Sequence, residues 1–262
     1  MLNISLSIVS HGHGAHVLRL LDLLCQPGGE DICRVWITLN VKEPGLEERL
    51  NQIVKSRSCR FALGVIINPI PLGFGSNHNQ AFRHEMAQSN SAPFFGVLNP
   101  DLSWNDSPWP AMLRAAASSG VGCVYTRQVD AQGAPQDYAR SLPTFAALLS
   151  RYLARPHVRS RSLSNPDWVN AALLLFKSEV YEQLQGFDEA YRMYCEDVDI
   201  CLRLQLAGYE LAEANDACVV HAAQRASHRE LSHLGWHLRS LWRLWHSPAY
   251  HQFRLRSRRS YK

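Results

Sequence analysis

The spacing of apolar residues changes repeatedly along the chain, and each change marks an element. ISLSIVS (4–10) alternates apolar residues with serine and predicts a strand. AHVLRLLDLLCQ (15–26) predicts an amphipathic helix. RVWITLN (34–40) predicts a second strand, PGLEERLNQIVKS (44–56) a helix opened by proline, and FALGVIIN (61–68) a third strand. SNHNQAFRHEMAQ (76–88) predicts a helix opened by Ser76, and PFFGVLN (93–99) a fourth strand. Strands alternating with helices predict an α/β fold: a Rossmann-like, mostly parallel sheet with helices on both faces. Near-continuous apolar strands belong at its centre, where both faces are covered.

The second half is less regular. VGCVYT (121–126) predicts a short strand, and residues 127–166, rich in Gln, Asp, Ser, Pro and Arg, form a long excursion. WVNAALLLFK (168–177) returns to the core, EDVDICLRLQLAG (196–208) predicts a helix ending at Gly208, and ACVVH (217–221) a last strand. SHRELSHLGWHLRSLWRLWH (227–246) predicts a further helix carrying Leu231, Leu234, Leu238, Leu241 and Trp245 at helical spacing. The expected division is a body over 1–224 and a basic, amphipathic helical tail over 225–262.

With 262 residues, 46% of them hydrophobic, the chain has enough material for one large domain or two small ones. The apolar run AALLLF (171–176) is far shorter than the roughly 20 residues of a membrane-spanning helix. The first residues lack the basic start and apolar block of a signal peptide, so none is expected. Seven scattered cysteines without a CxxC pair argue against zinc, and their odd number suits reduced, cytosolic thiols. The net charge of +4 hides an asymmetry, because residues 225–262 hold nine Lys/Arg and one Asp/Glu. A basic tail on a mildly acidic body suits an anionic partner: a membrane, a nucleic acid or a charged substrate. Trp236, Trp242 and Trp245 interleave with Arg239 and Arg243 at helical spacing rather than as a stacking platform, so nucleic acid is not expected. An interfacial helix on anionic lipid and a helix packed on the body both remain open.

In open α/β sheets, ligands bind at the carboxyl ends of the strands. The first predicted strand ends in SHGHG (10–14), the second in Asn40 and the fourth in NPD (99–101). Asp101 is either a carboxylate delivered to a ligand rim or part of a turn that caps a helix near 107. PLGFGSNHNQAF (71–82) is neither a Walker loop nor GxGxxG. Its Gly73 and Gly75 suit either an anion at a helix N-terminus or a structural turn. The missing GxGxxG also argues against a dehydrogenase. GFDEAYRMYCEDVDICLRLQLAGY (186–209) brings Glu196, Asp197 and Asp199 to one helix start. Glu196 and Asp199 share a face, Asp197 points about 100° away, and Asp199 can pair with Arg203. A helix dipole alone also favours acids there. His221, like His11 and His13, is a metal or phosphate ligand or a satisfied polar residue.

Taken together and in this order, these stretches resemble a family 2 glycosyltransferase with the GT-A fold, over roughly residues 4–222. Within that family they look most like the rhamnosyltransferase-type enzymes of bacterial surface polysaccharide assembly. IVSHGHG, NPIPLGFGSNHNQAF, LNPD, and the block from WVNAALLLFK through GFDE and EDVD to GY carry the resemblance, with a downstream histidine. It implies a nucleotide-sugar half over 1–126 and an acceptor and catalytic half over 127–224. The implied enzyme inverts the anomeric centre, taking a sugar from a dTDP- or UDP-sugar to a polysaccharide or lipid-linked acceptor. Asp197 matches the family's general base. Asp101 matches the second acid of its metal-binding motif, with Asn99 in place of the first, and His221 is a second implied ligand for Mg²⁺ or Mn²⁺. Ser10, His11, Gly12, Asn40, Gly73, Gly75 and Asn79 would contact the donor. Trp168, Asn170, Glu196, Asp199 and Arg203 would surround the acceptor. SHG departs from the usual Thr-Tyr-Asn, and Asn40 stands where an Asp often reads the base. A degenerate nucleotide-sugar-binding module is the alternative, against which the intact EDVD stands. The excursion, with Arg140, Arg151, Arg155, Arg159 and Arg161, would form part of the acceptor side or a lid. The implied location is cytoplasmic, peripheral on the inner face of the membrane.

Overall fold

The computed structural model describes residues 4–56, 59–143, 166–221 and 231–259. Its first half runs β1 (Ile4–Ser10), α1 (Gly14–Leu24), β2 (Ile32–Leu39), α2 (Pro44–Ser56), β3 (Ala62–Ile67), α3 (Phe74–Met86) and β4 (Phe94–Leu98). After β5 (Leu102–Ser103), α4 (Trp109–Ala116) and β6 (Val121–Val129) come β7 (Ala139–Arg140) and β8 (Trp168–Val169). The rest is β9 (Leu173–Lys177), α5 (Ser178–Gln183), α6 (Glu196–Leu206), β10 (Glu210–His221), α7 (Leu231–Trp245) and α8 (Pro248–Arg259).

The main sheet has the order β3-β2-β1-β4-β9-β6-β10-β5. β1, β2, β3 and β4 are parallel, while β9 is antiparallel to both β4 and β6. β10 is parallel to β6, so it points the same way as β4. The carboxyl ends of β1, β2, β4 and β10 therefore share one edge, and the ligand rule looks to that edge.

Alternation in β1 divides its residues between two layers. Ile4, Leu6 and Ile8 are fully buried in the layer that α1 and α4 cover. Ser5 and Ser7 are equally buried on the other face, where α3 supplies their partners. The Ser5 hydroxyl donates to Glu85 (2.8 Å), and Ser7 meets His78 Nδ1 (2.8 Å). Glu85 also takes hydrogen bonds from Arg34 (2.7 Å), Trp36 Nε1 (2.9 Å) and the Ala92 amide (2.8 Å). Burial opposes its charge, but these donors outweigh it and lower its pKa. Burial alone pulls His78 down to about 3, so it sits neutral between β1 and α3.

Three expectations change in detail. α4 begins behind Pro108 with no side-chain cap, so Asp101 does not cap it. The segment 168–177 divides into β8 and β9. The helix predicted over 227–246 is α7, a second helix, α8, opens at Pro248 after it, and Leu241, Leu244, Tyr250 and Phe253 enter the second apolar layer. The side chains of Leu231 and Leu234, and Arg151, Arg155, Arg159 and Arg161 of the excursion, lie outside the described residues.

Candidate active site

The β1–α1 loop is closed by a residue the sequence reading passed over. Glu43, just before α2, accepts the Ser10 hydroxyl (2.5 Å) and the amides of Gly12 (3.0 Å) and Gly14 (2.9 Å). Gly12 has φ +81°, a left-handed conformation that favours glycine. Ser10 is thus buried and held, while His11 and Gly12 are exposed at the rim. Asn40 is buried as well. Its Nδ2 meets the Leu72 carbonyl (3.0 Å) and His11 Nδ1 (3.1 Å), and its Oδ1 accepts from the Leu72 amide (2.8 Å) and Asn68 Nδ2 (2.9 Å). All four of its hydrogen-bonding positions serve to tie the ends of β1 and β2 to the loop after β3.

At the middle of the same edge, β4 hands over to Asn99–Asp101, with the Asn99 amide bound to the Ala172 carbonyl (2.9 Å). The end of β10 brings His221 to the same spot. Its Nε2 lies 3.5 Å from Asp101 Oδ1 and 3.4 Å from Asn99 Nδ2. Burial raises the Asp101 pKa, but His221 outweighs it and the net shift is downward, so the carboxylate is ionised. His221 Nδ1 is buried without a hydrogen-bond partner. Carboxylate, imidazole and amide oxygen make a mixed oxygen and nitrogen donor set that fits a divalent cation sharing its remaining positions with phosphate and water. No cluster of three His, Cys, Asp or Glu suited to a metal occurs among the described residues.

The acids of α6 separate as their angular spacing requires. Tyr194 and Cys195 both have left-handed backbones (φ 72° and 66°) and turn the chain sharply into the helix. Glu196 and Asp199 are buried, while Asp197 keeps partial contact with solvent. Asp199 accepts Arg203 Nε (2.7 Å), and the same guanidinium clamps the carbonyls of Leu184 (2.6 Å) and Gly186 (2.8 Å). Asp197 accepts the Val198 amide (2.9 Å). Burial raises the pKa of both Glu196 and Asp197; the Val198 amide and the charge of Arg140 partly offset this at Asp197. Glu196 Oε2 has no partner. β8 packs against the same helix, with Cys201 Sγ against the Val169 carbonyl (3.7 Å).

Three expected donor contacts are spent inside the fold. Asn79 donates to the Phe187 carbonyl (2.8 Å) and Glu189 (3.1 Å), and accepts from Tyr181 (2.7 Å) and the Phe187 amide (2.9 Å). That uses every hydrogen-bonding position of its amide. A Cβ on Gly75 would stand 2.5 Å from Phe187 Cβ, and one on Gly73 2.7 Å from the Arg192 carbonyl oxygen. The two glycines therefore let α3 approach the 186–192 segment closely. Of the residues expected around the acceptor, Trp168 donates to the Ser141 carbonyl (2.8 Å) beneath Arg140, whose guanidinium lies 5.0 Å from the ring centre. Asn170 exchanges two hydrogen bonds with Gln128 (2.7 and 3.0 Å). Glu43 and Gln128 had no motif to announce them; a Glu before a helix-opening proline was the one available sign for Glu43.

Comparison with known proteins places this geometry. No protein-family model matches the chain. It is 27% identical over 254 residues to the rhamnosyltransferase WbbL of Escherichia coli, covering 90% of each chain. To the N-acetylglucosaminyl-diphospho-decaprenol L-rhamnosyltransferase of Mycobacterium tuberculosis it is 30% identical over 190 residues, 64% of this chain and 62% of that enzyme. The structure superposes on a mannosyltransferase from Pyrobaculum calidifontis, solved with GDP-Man and Mn²⁺, with a TM-score of 0.63 at 16% identity, over 86% of this chain and 58% of that one. The chain thus spans less than two thirds of the mycobacterial enzyme and of the mannosyltransferase. The sheet with its ligand edge and these matches agree: the chain has the fold of the GT-A glycosyltransferases and is similar in sequence to rhamnosyltransferases.

Proposed function

We propose that the protein transfers a sugar, L-rhamnose in the favoured case, from a dTDP- or UDP-sugar to a hydroxyl of a lipid-linked saccharide, with inversion. Asp197 is the general base. The acceptor oxygen forms a bond to the anomeric carbon as the bond to the diphosphate breaks, and the hydroxyl proton passes to the Asp197 carboxylate. Direct displacement with one base inverts the centre. Asp101 and His221, with the Asn99 oxygen, would hold Mg²⁺ or Mn²⁺ against the diphosphate. When bound, that cation supplies charge stabilisation to the leaving group. The exposed His11 and Gly12 face the nucleotide, and Glu43 and Asn40 fix the loops that present them. Arg140, Trp168 and Asn170 line the acceptor side. A lipid-linked acceptor of the kind named for the mycobacterial relative puts the enzyme at the cytoplasmic face of the membrane.

The observation that carries this reading is the division of the α6 acids: Asp199 is locked to Arg203 and Glu196 is buried, while Asp197 keeps partial contact with solvent. A thermal-shift panel of nucleotide sugars, with and without Mg²⁺ or Mn²⁺, tests the donor half. One nucleotide should stabilise the wild-type protein selectively, more with metal, and the metal increment should vanish in Asp101→Ala. Asp197→Asn should keep the nucleotide shift and lose transfer to a polyprenyl-diphospho-saccharide. Nucleotide binding with no turnover of any acceptor by the wild-type protein would leave a binding module in place of the enzyme.

A further inference from the structure

A cavity of about 1300 Å³ lies away from the strand edge. Residues 184–192 form one side of it, and Trp236, Arg239, Trp242 and Arg243 of α7 form another. Its acids are neutralised. Asp188 pairs with Arg243 (2.7 Å), Asp199 with Arg203 (2.7 Å), and Glu189 with Arg83 (2.9 Å). Two cations are left over: among the described residues, neither Arg192 nor Arg239 has an ion pair, and Arg192 lies over the Trp236 ring at 5.3 Å. Residues 231–259 contain six arginines and no Asp or Glu.

The outward face of α7 carries the apolar half of the pattern. Leu241 and Leu244 point into the core, whereas Leu238 and Trp242, one turn apart, are 58% and 65% exposed. Leu255 of α8 is 59% exposed. Large apolar side chains held in water beside unpaired arginines, on helices without an acid, match the chemistry of an anionic lipid surface: hydrocarbon for Leu and Trp, phosphate for Arg. Helical spacing of the aromatics does not suit stacked bases.

We propose that the outward face of α7 and α8 docks the enzyme on an anionic bilayer, with a lipid phosphate taken up in the cavity by Arg192 and Arg239. Asp199 lines this cavity, and Asp197 stands about 200° away around α6. The bound phosphate is therefore not the reacting diphosphate, and docking is separable from transfer. The inference rests on the proposed lipid-linked acceptor for its purpose, since docking brings the enzyme to the surface that holds such an acceptor.

Co-sedimentation of the full chain with vesicles tests it. Wild-type protein should bind phosphatidylcholine–phosphatidylglycerol vesicles, release at high salt, and ignore phosphatidylcholine alone. Arg239→Glu should weaken binding by about tenfold or more, Arg239→Lys should restore it, and Trp242→Ser should weaken it with less salt dependence. All three should keep the wild-type circular dichroism and nucleotide thermal shift. Equal binding to both vesicle types, undiminished binding by Arg239→Glu, or displacement of the protein from vesicles by duplex DNA would overturn the proposal. Loss of the nucleotide shift in wild-type protein would instead count against the donor site, which these variants do not touch.

Discussion

Glu196 and Asp197 are adjacent, yet the helix buries one and leaves the other in partial contact with solvent. Their carboxyls interact, so they titrate as a pair, from about 6 for Asp197 to about 8 for Glu196. If Asp197 is the base, kcat/KM falls as the pH drops through about 6, while Asp101, held low, stays ionised there. A rate flat down to the ordinary carboxylate range would remove Asp197 from that role. Asp197→Asn should lower kcat by about 10²–10⁴, read in a transfer assay. Stability depends on pH with the opposite sign. Glu196 keeps its proton longer in the folded chain than in the unfolded one, so its contribution is full below 4.5 and is lost as the pH rises towards about 8. Glu196→Gln should therefore gain stability on the wild type above that range, by about 1–3 kcal/mol, and lose the advantage at low pH. Denaturant midpoints at the two ends measure it.

Elements here are positioned by contacts that replace ligand contacts in the simple reading of the motif. Asn79, Gly73 and Gly75 seat α3 on the segment after α5, and Arg203 of α6 clamps the end of α5 through two carbonyls. Gly75→Ala should cost about 1–3 kcal/mol because the new methyl collides with Phe187 in a packed layer. A midpoint equal to the wild type would show that the layer yields freely. Arg203→Lys keeps the charge but loses the planar fork, so it should destabilise by a comparable amount. The nucleotide shift measured in the same variant separates loop disorder from a lost donor contact.

At the scale of the whole molecule, the C-terminal helices belong to the second apolar layer. Burial of Leu241, Leu244 and Phe253 is worth about 1.5–3 kcal/mol each, a large share of the 5–15 kcal/mol that holds an ordinary domain folded. A chain ending at 224 should therefore aggregate or melt well below the full chain. A truncated protein with an unchanged melting temperature would show that 225–262 is an appendage. Among the described residues, no helix is long and apolar enough to cross a membrane.

The alternation of β1, the apolar run of β4 and the helical spacing of 15–26 determined the α/β class, because periodicity reports which faces meet the core. The EDVD spacing likewise determined that one of its acids stands apart, since helix geometry sets the angle. Local pattern says nothing of partners distant in the chain. Only the tertiary structure brought His221 to Asp101 across 120 residues, put β9 antiparallel between β4 and β6, and sent Glu43 back to close the first loop. It also gave Asn79 to Phe187 and Leu244 to the core, because hydrogen bonds and packing of that range depend on the closed sheet and on no neighbouring residue.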